Sequence, residues 1–173
     1  MNRELWIFGY GSLIWRPDFA FAETCLGYVS GWSRRFWQGS VDHRGVPEAP
    51  GRVVTLAPEP EARCWGLAYR VEGDRCDEVL GLLDQRESGG FDRVDVQVIL
   101  RDHGRDWVSA ITYVAPPSNP NYLGPATMAA IAEQVRRSHG PSGANSEYAL
   151  RLAEALRDLG IDDDHVSELA AFL

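Results

Sequence analysis

The chain has 173 residues, is 45% hydrophobic and 24% charged, and carries 17 basic against 25 acidic residues for a formal charge of -8. A chain of this length buries about 70% of its unfolded surface as one compact domain, so a single domain over 1–173 is expected and disorder is not. The negative balance, with no long basic run, argues against nucleic acid as a partner. No apolar stretch reaches the roughly 20 residues of a membrane helix, so no membrane partner is expected either. Cys25, Cys64 and Cys76 form an odd set with no C-x-x-C pair, and Met1-Asn2-Arg3-Glu4 leads into an apolar run too short for a signal peptide. Together these point to a reduced, cytoplasmic protein.

The first two-thirds reads mainly as strands. They are expected at 5–10, 27–37, 52–57, 64–71, 94–100 and 107–115, separated by clusters of Gly, Pro, Asp and Glu, and a sheet or partly closed barrel is their natural arrangement. Asp74 is placed to cap a helix over 75–86, with Val79, Leu82, Leu83 and Arg86 on one face and Gly89-Gly90 ending it. Pro125 opens a second helix carrying Met128, Ile131, Ala132 and Val135, which stops near Gly140-Pro141. A third helix groups Tyr148, Leu152, Ala155, Leu156 and Leu159, and a short fourth runs from about Asp164, a candidate cap, toward Phe172. This amphipathic tail is expected to pack on the sheet.

The end of the first strand, Phe8-Gly9-Tyr10-Gly11-Ser12, places small residues and main-chain amides where a short ligand can be held by backbone. Two familiar motifs fail there by spacing. A dinucleotide loop needs glycine where Ile14 stands, and a nucleophile elbow needs glycine where Tyr10 and Ile14 flank Ser12. Ser12 therefore reads as a hydrogen-bonding turn residue. The polar loop 40–47 reads as a candidate substrate lid. No metal is expected, because Asp42 and His43 are sequence neighbours and His103, His139 and His165 lack ligand spacing. Glu87 falls at a helix C-terminus, where a carboxylate meets the negative end of the macrodipole. If it were also buried among aromatic residues it would exchange protons near neutral pH; the alternative is a surface glutamate paired with Arg86 or Arg93.

The stretches Phe8-Gly9-Tyr10-Gly11-Ser12-Leu13-Ile14-Trp15, Arg34-Arg35-Phe36-Trp37-Gln38-Gly39-Ser40-Val41-Asp42-His43-Arg44-Gly45, Asp84-Gln85-Arg86-Glu87-Ser88-Gly89-Gly90, Asn119-Pro120-Asn121-Tyr122-Leu123-Gly124 and Gly140-Pro141-Ser142-Gly143, in this order along nearly the whole chain, closely resemble the ChaC family of glutathione-specific gamma-glutamylcyclotransferases. The resemblance implies an α+β fold with a mixed, barrel-like sheet, flanking helices and a C-terminal helical segment. It implies a small-molecule substrate, glutathione or another gamma-glutamyl compound, and no cofactor. Tyr10, Gly11, Ser12 and Leu13 would grip the gamma-glutamyl group and Glu87 would move the proton, with Tyr113 a candidate binding hydroxyl and Glu78 a candidate supporting residue. The chain departs from the usual family pattern at Ser88, where lysine is common, and at Phe91, where tyrosine is common.

Overall fold

The computed structural model describes residues 4–173. Two compact units divide the chain, one formed by 4–33 with 57–114 and the other by 34–56 with 115–173. Five strands, β1 (Glu4–Gly9), β2 (Glu23–Ser40), β3 (Gly51–Glu72), β4 (Asp92–Leu100) and β5 (Trp107–Val114), close into a barrel in the order β1-β3-β2-β4-β5. β1 runs antiparallel to β3, with Phe8 opposite Ala68, and parallel to β5, with Ile7 opposite Ile111. Trp6, Ile7 and Phe8 are all buried. A continuous apolar run, rather than strict alternation, is what a strand covered on both faces requires.

The barrel expected from the sequence is present, with one change in its strand count. The segments at 52–57 and 64–71 are parts of the single strand β3, which runs through Pro58 and Pro60. Proline's fixed φ lies in the extended region, and both residues are exposed, so the missing N–H groups need face no partner.

In the first unit, α1 (Cys76–Arg86) buries Cys76, Val79, Leu80 and Leu83. The expected i, i+3, i+4, i+7 stripe exists but begins three residues earlier than the sequence reading put it, and Leu82 is 47% exposed. Asp74 does not cap this helix; it lies in a short 3-10 turn ahead of it. The α1 stripe joins Ile7, Leu13, Tyr69, Val71 and Tyr113 in one apolar cluster. Each fully buried aliphatic side chain in it contributes about 1.5 to 3 kcal/mol.

The second unit holds three helices. α2 (Met128–Arg137) starts later than Pro125 implies, because Thr127 is its cap and accepts from the Ala130 N–H at 3.2 Å. Beyond α2, a two-residue hairpin of β6 (His139–Gly140) and β7 (Gly143–Ala144) leads into α3 (Asn145–Asp158). The cap of α4 (Asp164–Phe172) is Asp163 rather than Asp164; its carboxylate accepts from the Val166 N–H at 3.1 Å and also pairs with the fully buried Arg34 side chain at 2.6 Å.

The segment 40–47 is tied within this unit. The Ser40 hydroxyl accepts from the Arg44 N–H at 2.9 Å, the Arg44 guanidinium donates to the Ala144 carbonyl at 3.1 Å, and the His43 carbonyl accepts from the Ser142 N–H at 2.9 Å. The polar groups of this candidate lid are thus engaged by β7 and the residues before it.

Candidate active site

β1 ends where the chain turns sharply over itself. A Cβ on Gly9 would stand 2.7 Å from the Cβ of Leu13, so only glycine lets the turn fold back this closely. Ser12–Ile14 then form one turn of 3-10 helix, closed by the Ile14 N–H on the Gly11 carbonyl at 3.0 Å and the Arg16 N–H on the Ser12 carbonyl at 2.8 Å. The amides of Gly11, Ser12 and Leu13 come at the start of that turn, where the helix itself offers them no acceptor.

Two side chains from elsewhere in the first unit, Tyr69 and Arg86, and one of its own, Tyr10, fix this turn. The buried Tyr69 hydroxyl donates to the Leu13 carbonyl at 2.6 Å. Burial pushes that hydroxyl up to about 12, with the Arg86 charge opposing, so it stays a donor across the neutral range. Edge contacts from Phe19 and Phe21, with centroids at 5.5 and 4.9 Å, hold its ring. The buried Tyr10 hydroxyl donates to the Tyr113 carbonyl at 2.5 Å and ties the end of β1 to β5. Arg86, in the last turn of α1, donates to the Ser12 hydroxyl at 2.8 Å and to the Arg16 carbonyl at 2.7 Å.

Glu87 is the residue that closes α1. Its N–H donates to the Leu83 carbonyl at 2.9 Å, and its carboxylate lies 3.9 Å from the Arg86 Nε with 19% of the side chain exposed. That is neither a fully exposed surface glutamate nor a sealed one. Tyr113 presents its hydroxyl to the same helix end, donating to Asp84 at 2.6 Å. This bond holds the Asp84 carboxyl below its ordinary range, with an ion pair to Arg93 adding to the effect. Burial, and then the Asp84 contact, push the Tyr113 hydroxyl up.

The structure therefore gathers Tyr10, Ser12, Leu13 and Tyr113 with the helix end that carries Glu87. Glu78 stands apart, exposed in the first turn of α1. Phe91 packs against the α1 cluster, whereas Ser88 is exposed. Sequence reasoning gave no role to Asp84 or Tyr69, and read Arg86 only as a helix-face residue and an alternative ion-pair partner of Glu87, a pairing that is present at 3.9 Å. Arg86 adjoins Glu87, but nothing local shows that its guanidinium reaches a turn some seventy positions away.

Among the described residues, Glu23, Cys25 and His103 form the one group of three side chains able to ligate a metal, with donor atoms within 4.8 Å of one another. Hydrogen bonds already engage all three side chains. The Arg105 N–H donates to His103 Nδ1 at 3.0 Å, which puts the ring proton on Nε2, facing Glu23 at 2.8 Å. Arg70 holds the other carboxylate oxygen at 2.9 Å, and burial followed by the Glu23 charge pushes the Cys25 thiol up. The cluster acts as a polar tie between β2 and the β4–β5 connection.

The closed five-stranded barrel with its flanking helices is the fold of solved gamma-glutamylcyclotransferases. A yeast gamma-glutamylcyclotransferase specific to glutathione superposes with a TM-score of 0.92 at 28% identity, covering 98% of this chain and 95% of the yeast one. The human glutathione-specific gamma-glutamylcyclotransferase 1 is 47% identical over 96% of this chain and 77% of its own length. The Escherichia coli glutathione-specific gamma-glutamylcyclotransferase is 36% identical over 95% of this chain and 71% of its own. The model of the ChaC-like protein family matches residues 5–173, and the chain belongs to that family.

Proposed function

We propose that the protein degrades glutathione by intramolecular cyclotransfer. The α-amine of the gamma-glutamyl residue attacks its own γ-carbonyl carbon, a five-membered ring closes, and the bond to the cysteine nitrogen breaks, giving 5-oxoproline and cysteinylglycine. The observation that carries this reading is the 47% identity, over nearly the whole chain, to a relative named as glutathione-specific.

The site geometry supports a division of labour. The nucleophile belongs to the substrate, so the enzyme must fold the substrate, stabilise charge and move protons. Well-oriented intramolecular attack supplies about 7 to 11 kcal/mol of the barrier. Backbone amides of Gly11, Ser12 and Leu13, with Tyr10 anchoring the strand end, hold the gamma-glutamyl group and the oxyanion that forms on the γ-carbonyl oxygen. Glu87 takes a proton from the α-ammonium and returns one to the leaving amine. The Tyr113 hydroxyl is engaged by Asp84, and we assign it to holding α1 at β5, from where it borders the substrate.

Residues 1–173 then work as a single cyclotransferase domain. That Cys25, Cys64 and Cys76 are not joined in disulfides supports a reducing, cytoplasmic setting. The test is product release from glutathione compared with gamma-glutamyl-alanine. Release of 5-oxoproline from glutathione at a far higher kcat/KM is expected; equal turnover of both would replace the glutathione reading with a general gamma-glutamyl one.

A further inference from the structure

We infer that Arg86 is a positioning residue for the reaction, clamping the substrate-gripping turn to the helix end that carries Glu87; this deepens, and rests on, the cyclotransferase reading. Its side chain is only 15% exposed. One terminal nitrogen donates to the Arg16 carbonyl at 2.7 Å and the Pro17 carbonyl at 3.3 Å, and the other donates to the Ser12 hydroxyl at 2.8 Å. Asp18 lies 3.5 Å from the same group, at the far side of the turn, where its own φ of 57° marks a sharp reversal.

The geometry suits arginine and no other residue. A planar fork with several donors can bridge two main-chain carbonyls and a hydroxyl at once, whereas an ammonium offers a single point of charge. The accepting groups bracket the 3-10 turn, one at its first residue and two just past its end. Arg86 is also covalently adjacent to Glu87, so the main chain that sets the carboxylate also sets the clamp. Tyr69 holds the turn at its middle, on the Leu13 carbonyl, but Tyr69 belongs to β3 and cannot couple the turn to α1. Arg86 provides that coupling, and a shift of about 1 Å between amides and carboxylate is enough to lower turnover about 10²-fold.

The test measures kcat and KM for glutathione in wild type, Arg86→Gln, Arg86→Lys, Ser12→Ala and the Arg86→Gln/Ser12→Ala double variant, with hydrogen exchange of the 12–16 amides followed in the absence of substrate. Arg86→Gln is expected to lower kcat/KM about 10²-fold, with kcat falling as well as KM rising, and to speed exchange across the turn. Arg86→Lys should recover part of the loss. Ser12→Ala should matter less in the Arg86→Gln background than alone, because the two share one bond. If Arg86→Gln melts below the assay temperature, Arg86→Lys takes its place in the cycle. An active wild type with an Arg86 variant within twofold of it, or with losses that multiply fully with Ser12→Ala, overturns the clamp and leaves the function standing. An inactive wild type overturns the function; the exchange data still decide the clamp, and unchanged exchange refutes it.

Discussion

Tyr113 and Asp84 join the last barrel strand to α1 through one hydrogen bond of 2.6 Å, three residues before the helix-ending Glu87. The same Tyr113 receives the Tyr10 hydroxyl on its carbonyl. One residue thus touches both the strand leading into the glycine turn and the helix bearing the proposed proton carrier.

Replacing Tyr113 by phenylalanine keeps the ring and removes the bond. Asp84 retains its Arg93 partner, so the expected loss of stability is about 1.5 kcal/mol, the low end for a hydrogen bond to a charged acceptor. Urea unfolding measures it. Turnover of glutathione should fall roughly tenfold through a displaced helix end; wild-type turnover in a destabilised variant would confine the bond to a structural role.

Tyr69→Phe leaves the Leu13 carbonyl without its donor in a buried place, at a loss of about 1 to 3 kcal/mol. The wild-type hydroxyl holds its proton up to about 12 in the folded chain, against about 10 unfolded. Stability is therefore expected to fall as pH rises from 10 toward 12. Ultraviolet titration of tyrosinate should show at least one group absent below pH 11 that appears on unfolding.

His165 gives the opposite end of the pH scale. Its Nε2 accepts from the Phe36 N–H at 3.0 Å, and burial, aided by the Arg35 charge, pulls the ring down to about 4. Between pH 6.5 and about 4 the unfolded chain takes up a proton that the folded chain refuses. The stability from this group is thus complete above pH 6.5 and declines as pH falls through the window, by up to about 3 kcal/mol. Thermal midpoints from pH 7 to 4.5 should show the decline, and His165→Gln, which keeps a neutral acceptor, should flatten it.

Asp163 serves both as the cap of α4 and as partner to the buried Arg34. Asp163→Ala removes both a cap and the carboxylate paired with a buried guanidinium, so a loss of about 3 to 5 kcal/mol is expected. Asp163→Asn, which can still cap, should recover about 1 kcal/mol of it; equal losses in the two variants would show the ion pair to be the whole effect.

The sequence was legible where a pattern is local. The apolar run of β1, the stripe of α2 around Ile131, Ala132 and Val135, and the closing of α1 before Gly89-Gly90 all follow from period, propensity and breakers within a few residues. It was least legible where extended backbone is decided by pairing. Pro58 and Pro60 look like breaks, yet an exposed strand tolerates them. In α1 two overlapping stripes fit the same template, and tertiary packing chose Leu80 over Leu82 as the buried leucine. Of the site, the Tyr10–Leu13 turn and Glu87 were visible as a strand end and a helix end, and resemblance gave them roles. The roles of Asp84 and Tyr69, and the reach of Arg86 to the turn, were not visible, because these contacts join residues that only barrel closure brings together.

The most direct measurement is 5-oxoproline release from reduced glutathione by wild type and Glu87→Gln side by side, each checked for equal thermal midpoint and glutathione affinity. The account predicts release by the wild type and a loss of about 10² to 10⁴-fold in kcat for Glu87→Gln, the range for a lost general acid–base, with binding retained. Near-normal release by a folded Glu87→Gln would contradict it and remove Glu87 from the proton-transfer role.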